Sequence, residues 1–102
     1  MKTLTALMLT AFIATPAFAA KINGTVATKG IKDEDYAAHT KISLADAIGA
    51  ALENSPGIAT SAELDDENGF LVYEVEIRGV DKKTTKLLVD AGNKSVLHTE
   101  KK

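Results

Sequence analysis

The sequence contains no cysteine and no tryptophan, and only two prolines occur among its 102 residues. The lack of cysteine excludes disulfides, cysteine metal sites, thiolate catalysis and a lipid attached through an N-terminal cysteine. Aromatic residues make up only 5% of the chain, so no stacking platform for sugars or bases is evident. The fold must therefore rest on an apolar core without a covalent cross-link.

Long apolar runs are also lacking, and the one apolar stretch near the N-terminus is short. Residues 4–13 are mostly apolar, which is about half of the roughly 20 residues that a membrane-spanning helix needs. Lys2 precedes this run, Pro16 ends it, and residues 17–19 supply the small-x-small pattern of a signal peptidase site. We expect a signal peptide over residues 1–19, cleavage after Ala19, and a periplasmic or secreted protein without a membrane anchor.

The remaining chain is small and mildly acidic. Removal of 19 from 102 residues leaves 83, with 11 basic and 14 acidic side chains once Lys2 is gone. This length suits one small domain. Because no basic stripe is present, we expect no nucleic-acid partner.

The first part of the exported chain lacks the pattern of a core element. Residues 20–40 contain Gly24, Gly30 and the charge cluster 32–35, and no apolar period persists through them. We interpret this segment as a flexible leader. The compact domain is expected to occupy residues 41–102.

An amphipathic helix is predicted at the start of that domain. Ser43 is a favourable N-cap, and the Asp46 carboxylate can reach back to its amide. The apolar positions Leu44, Ala47, Ile48, Ala51 and Leu52 follow helical spacing. Pro56 stops the pattern, so a helix over residues 44–54 is expected.

Two-residue alternation then predicts three or four strands. Strand-like segments cover residues 58–64, 71–77, 85–89 and 95–99, and the polar cluster 65–69 is interpreted as a turn. Side-chain matching predicts a register in which Val75 pairs with Leu87, Tyr73 with Val89 and Glu76 with Lys86. The fold class is therefore α+β, with one amphipathic helix packed on one face of an antiparallel meander sheet.

A single helix leaves the opposite sheet face uncovered. That face and its margin carry the candidate partner-binding residues Phe70, Val72, Glu74, Glu76, Lys86 and Leu88. Two interpretations stay open: an ordinary surface with some apolar residues, or a face or strand edge that binds a protein or peptide.

Catalytic and metal-binding patterns are not found. His39 and His98 are the only histidines and form no i, i+4 metal pair, and no serine lies in a nucleophile elbow. The acidic segment Asp65-Asp66-Glu67-Asn68-Gly69 lacks calcium-loop spacing and suits a hairpin turn better. We expect no enzyme, no cofactor and no metal ligand.

Several short segments of the chain resemble the PepSY domain. These are residues 41–44 with Ala47, Pro56-Gly57, residues 62–64, residues 73–77, and residues 89–93 with Val96-Leu97. The resemblance covers about residues 41–98. It implies an exported bacterial protein with a role in inhibiting or modulating peptidases. Lys94 stands where the family often has glycine, which implies a left-handed turn residue there.

The leading functional hypothesis is a non-enzymatic periplasmic or secreted binding module that modulates or inhibits a peptidase through its exposed sheet face. The alternative is a periplasmic stress protein that binds a small ligand or a divalent metal with its acidic loop and His98.

Overall fold

The computed structural model describes residues 22–102, so the expected signal peptide lies outside the described residues. In chain order the elements are a 3₁₀ turn at Asp33–Asp35, α1 at Tyr36–His39, α2 at Leu44–Asn54, β1 at Ile58–Glu67, β2 at Phe70–Arg78, β3 at Thr84–Asp90 and β4 at Val96–Lys101. The strands form one antiparallel sheet in the order β1-β2-β3-β4. The α+β meander is confirmed. Within the described part of the chain, no helix has the length and apolarity needed to span a bilayer.

Helix α2 has the predicted bounds and the predicted cap. The Asp46 amide donates to Ser43 Oγ at 3.0 Å, and the Ser43 amide donates to an Asp46 carboxylate oxygen at 3.4 Å. Ala47 and Ala51 are fully buried against the sheet. The last turn closes with a bond from the Ser55 amide to the Ala51 carbonyl, just before Pro56.

The central strand pair has the predicted register. Tyr73 faces Val89, Val75 faces Leu87 and Glu76 faces Lys86. The main core lies between this sheet face and α2, and its buried members are Ala47, Ala51, Leu71, Tyr73, Val75, Ile77, Leu87, Val89 and Ala91.

The acidic segment does not form the expected five-residue turn. Residues 65–67 continue β1, with Glu67 opposite Phe70. Only Asn68 and Gly69 make the turn, and both have positive φ, 55° and 89°. A two-residue Asn-Gly turn closes a hairpin by itself. The three acidic residues that precede it can therefore pair with β2 as strand residues.

The second sheet face is covered in part, which corrects the expectation that it is bare. Val72 and Leu88 have no exposed surface, and Ile22, itself 3% exposed, packs against them with Leu97 beside it. Both β2 and β3 carry apolar side chains on this face. Burial of those side chains away from water stabilises a second, smaller core.

Backbone pairing holds the segment that carries Ile22. The Leu71 amide donates to the Val26 carbonyl at 2.8 Å, and the Thr28 amide donates to the Gly69 carbonyl at 3.0 Å. The Thr28 hydroxyl donates to an Asp66 carboxylate oxygen at 2.6 Å. Residues 22–28 thus contact the sheet directly, where the sequence suggested a leader outside the packed domain.

A buried carboxylate fixes the same segment to the turn after β3. Asp90 lies opposite Val72 on the second sheet face and is 1% exposed. Its Oδ1 atom accepts from the Thr25 hydroxyl at 2.9 Å and from the Gly92 amide at 2.8 Å. A side chain at Gly92 would collide with the Thr25 hydroxyl, so glycine is required for this close approach.

Lys94 has φ 71°, as the resemblance implied. The left-handed region costs a non-glycine residue about 1 to 2 kcal/mol. We predict that Lys94→Gly stabilises the protein by about 1 kcal/mol and raises Tm by about 4 to 8 °C in thermal denaturation followed by circular dichroism. Lys83→Gly serves as the control because Lys83 does not have positive φ. An unchanged or lower Tm for Lys94→Gly would contradict this account of the turn.

Candidate functional site

Two of the six candidate residues cannot meet a partner at the surface. Val72 and Leu88 are completely buried beneath Ile22. Phe70 is partly buried and forms an isolated β-bridge with Ala27. Gly24 also packs closely against it, since a Cβ atom added at Gly24 would lie 2.8 Å from the Phe70 Cβ. The apolar part of the predicted site is therefore structural.

The charged candidates are partly exposed, and Glu76 lies opposite Lys86 as the predicted register required. Glu74 Oε2 is 3.5 Å from Lys86 Nζ, and Lys86 faces Glu76 across the β2–β3 pair. Glu76 Oε2 accepts from Lys102 Nζ at 2.7 Å. These side chains form a small ion-pair network on the sheet. Because the groups are partly exposed, the network contributes only weakly to the stability of the fold.

A group of carboxylates lies next to this network. Oxygen atoms of Asp65, Glu67 and Glu74 lie within 4.8 Å of one another. Burial raises the pKa of Glu67, and the neighbouring charges of Asp65 and Glu74 raise it further. Lys86 contacts this group through Glu74. The arrangement concentrates negative charge at the end of the β1–β2 hairpin.

Carboxylate oxygens can bind a divalent cation, but His98 is not part of this group. It lies on β4 opposite Leu88, and its Nε2 atom is 3.8 Å from Glu100 Oε1. The structure thus separates the two parts of the metal-binding alternative, the acidic segment and the histidine.

Charge is strongly segregated along the chain and across the sheet. Residues 42–77 contain eight acidic side chains and no lysine or arginine, whereas residues 78–102 contain seven basic and three acidic side chains. Because the strand order follows the chain order, the acidic part forms α2, β1 and β2, and the basic part forms β3 and β4. The formal net charge of −2 hides this division. A running charge count would have revealed it from the sequence.

Strand β1 is the acidic edge of the sheet and spans ten residues. Within residues 22–102, the backbone hydrogen bonds outside the regular elements involve no residue of β1. The pairing places Glu63, Asp65 and Glu67 on the face opposite α2, and Ala62 and Leu64 on the α2 face. The sequence interpretation missed this surface because it assigned residues 65–67 to a turn.

The grooves found in the described residues are open to solvent. A groove of about 470 Å³ lies between α2 and the β3–β4 turn. Most of its lining residues are exposed, including Asp46, Glu53 and Lys94. It lacks the apolar lining and convergent polar groups of a typical small-molecule site.

The raised pKa of Glu67 predicts how the stability of the protein depends on pH. When the pKa of an acid is higher in the folded state than its ordinary value of 4.5, the free energy of unfolding falls as pH rises from 4.5 through the folded-state pKa. Glu67→Gln should therefore raise Tm at pH 7, and the gain should vanish once both states are protonated below pH 4.5. Thermal denaturation between pH 3 and 7 measures this, with Glu53→Gln as the control for general loss of one negative charge. No gain at pH 7, or an undiminished gain at pH 3, would contradict it.

Comparison with known proteins gives one match. The model of the PepSY family, described as "Peptidase propeptide and YPEB domain", matches residues 41–100, which is more than half of the chain. No curated protein and no solved structure matches. The matched range runs from just before the cap of α2 into β4 and confirms the resemblance found in the sequence. The chain therefore belongs to the PepSY family.

Proposed function

We propose that this protein is a non-enzymatic binding module that modulates or inhibits a peptidase outside the cytoplasm. The family match over residues 41–100 carries this proposal, because the family takes its description from peptidase propeptides. A module of this kind acts by contact with another polypeptide and needs no catalytic group of its own.

The described surface is consistent with contact rather than chemistry. The groove beside α2 is open, and His39 and His98 lie on separate elements, at the end of α1 and on β4. Neither arrangement resembles the nucleophile-base pair or the metal set from which an active site is inferred.

The compartment is proposed from the N-terminal sequence. The short apolar run, Pro16 and the small residues around Ala19 match a cleavable export signal. We therefore propose a periplasmic or secreted protein that begins at Ala20 after cleavage.

The contact surface differs from the sheet face first expected. Val72 and Leu88 are buried, and the charged residues beside them already pair with one another. Strand β1 lies at one edge of the sheet and carries a row of carboxylates, so we propose that the contact is made there.

Divalent-metal binding has less support than a polypeptide partner. Asp65, Glu67 and Glu74 converge, but Lys86 contacts Glu74 and His98 lies elsewhere. Calorimetric titration with Ca²⁺ or Zn²⁺ should therefore give no saturable heat.

The peptidase proposal is tested with purified residues 20–102 and a secreted zinc metallopeptidase acting on a fluorogenic peptide. We predict saturable inhibition, with the protein itself staying intact. Val75→Asp provides the control, because a charge at this fully buried position should unfold the domain. An unfolded chain can slow the assay only as a competing substrate. Equal slowing by both proteins, or none by either, would contradict the proposal.

A further inference from the structure

We propose that the outer edge of β1 binds an extended, lysine- or arginine-rich segment of a partner protein as an added strand. This inference rests on the proposed function only in requiring a polypeptide partner. The partner need not be a peptidase.

The backbone of β1 offers the first element of this site. β1 pairs with β2 on one side, and within the described residues no strand pairs with its other side. An edge strand presents unpaired N–H and C=O groups that an extended peptide can satisfy. The register with β2 shifts between Ala59 and Ser61, so the regular edge at residues 61–67 suits about seven residues of a peptide, which span roughly 23 Å.

The side chains of β1 supply the second element. On the face opposite α2, Glu63, Asp65 and Glu67 follow one another at every second residue. An added strand also presents every second side chain to that face, so lysines at alternate positions would meet these carboxylates.

Lys86 offsets part of this negative charge through its contact with Glu74. Glu63 lies directly opposite Glu74, a pairing of like charges that costs stability in a sheet. Asp65 and Glu67 approach Glu74 as well, and their proximity raises the pKa of Glu67 after the larger effect of its burial. A positively charged strand beside β1 would relieve this repulsion.

The charges also argue against a second copy of this chain as the occupant. Two β1 edges paired with each other would bring acidic rows together. Pairing β1 with the edge strand β4 of another copy would join chains head to tail, in a ring or an open filament. Furthermore, Lys101 and Lys102 on the β4 side already bond to Asp81 and Glu76 at 2.9 and 2.7 Å. A basic segment of a different protein fits the edge better.

The test uses purified residues 20–102 and a fluorescein-labelled peptide of eight alternating lysine and threonine residues. Fluorescence anisotropy measures the binding of the peptide. The measurement is made at about 0.15 M salt, because salt at this concentration screens unspecific attraction between distant charges. We expect saturable binding of this peptide and none of the matching glutamate–threonine peptide.

Backbone N-methylation of the peptide separates strand addition from plain charge attraction. Successive N–H groups of a strand point to opposite sides, so two peptides are methylated at alternate residues in opposite phases. Strand addition predicts that one phase weakens binding at least about tenfold and the other leaves it nearly unchanged. Equal affinity of both methylated peptides and the parent would overturn the proposal.

Protein variants locate the site. Glu63→Lys/Asp65→Lys should weaken peptide binding by about tenfold or more. Glu53→Lys/Glu100→Lys makes the same change in net charge on α2 and β4 and should retain affinity within about threefold. Equal loss in both variants would overturn the proposal, as would a wild-type dimer in sedimentation that Glu63→Lys/Asp65→Lys dissociates. No peptidase enters these measurements, so their outcome is independent of the inhibition assay.

Discussion

Strand β3 is buried on both faces, and the rest of the structure depends on this constraint. Leu87, Leu88 and Val89 are consecutive and have no exposed surface. Because successive strand residues point to opposite faces, such a run needs cover on both sides of the sheet. Helix α2 covers one side, and the segment that begins with Ile22 covers part of the other. The protein is thus a sheet between two layers of unequal size.

This arrangement decides which surface can meet another molecule. The N-terminal segment buries Val72 and Leu88, and ion pairs engage the charged residues beside them. Within the described residues, no strand pairs with the outer edge of β1, which carries a row of carboxylates that Lys86 partly offsets through Glu74. The link of the family to peptidase propeptides and the open edge of β1 are the two grounds for the contact-based function that we propose.

The sequence predicted those features that many residues specify together. Five apolar positions and a capping box defined α2. The alternation in β2 and β3 determined the register in which these two strands pair. The features that were not predicted from the sequence depend on single residues or on backbone groups. The second core depends on Ile22 alone within its segment, and the extension of β1 depends on Asn68 and Gly69 closing the hairpin in two residues. The acidic edge was missed because its residues were assigned to a turn, although their charges are plain in the sequence.

Amide hydrogen exchange of residues 20–102 tests most directly whether the N-terminal segment belongs to the folded domain. The Thr28 amide bonds to the Gly69 carbonyl and the Leu71 amide to the Val26 carbonyl, whereas Lys29 is exposed and has no such backbone bond. The account predicts slow exchange at Thr28 and Leu71 and fast exchange at Lys29. Exchange at Thr28 and Leu71 as fast as at Lys29 would contradict it, because the second sheet face would then be open.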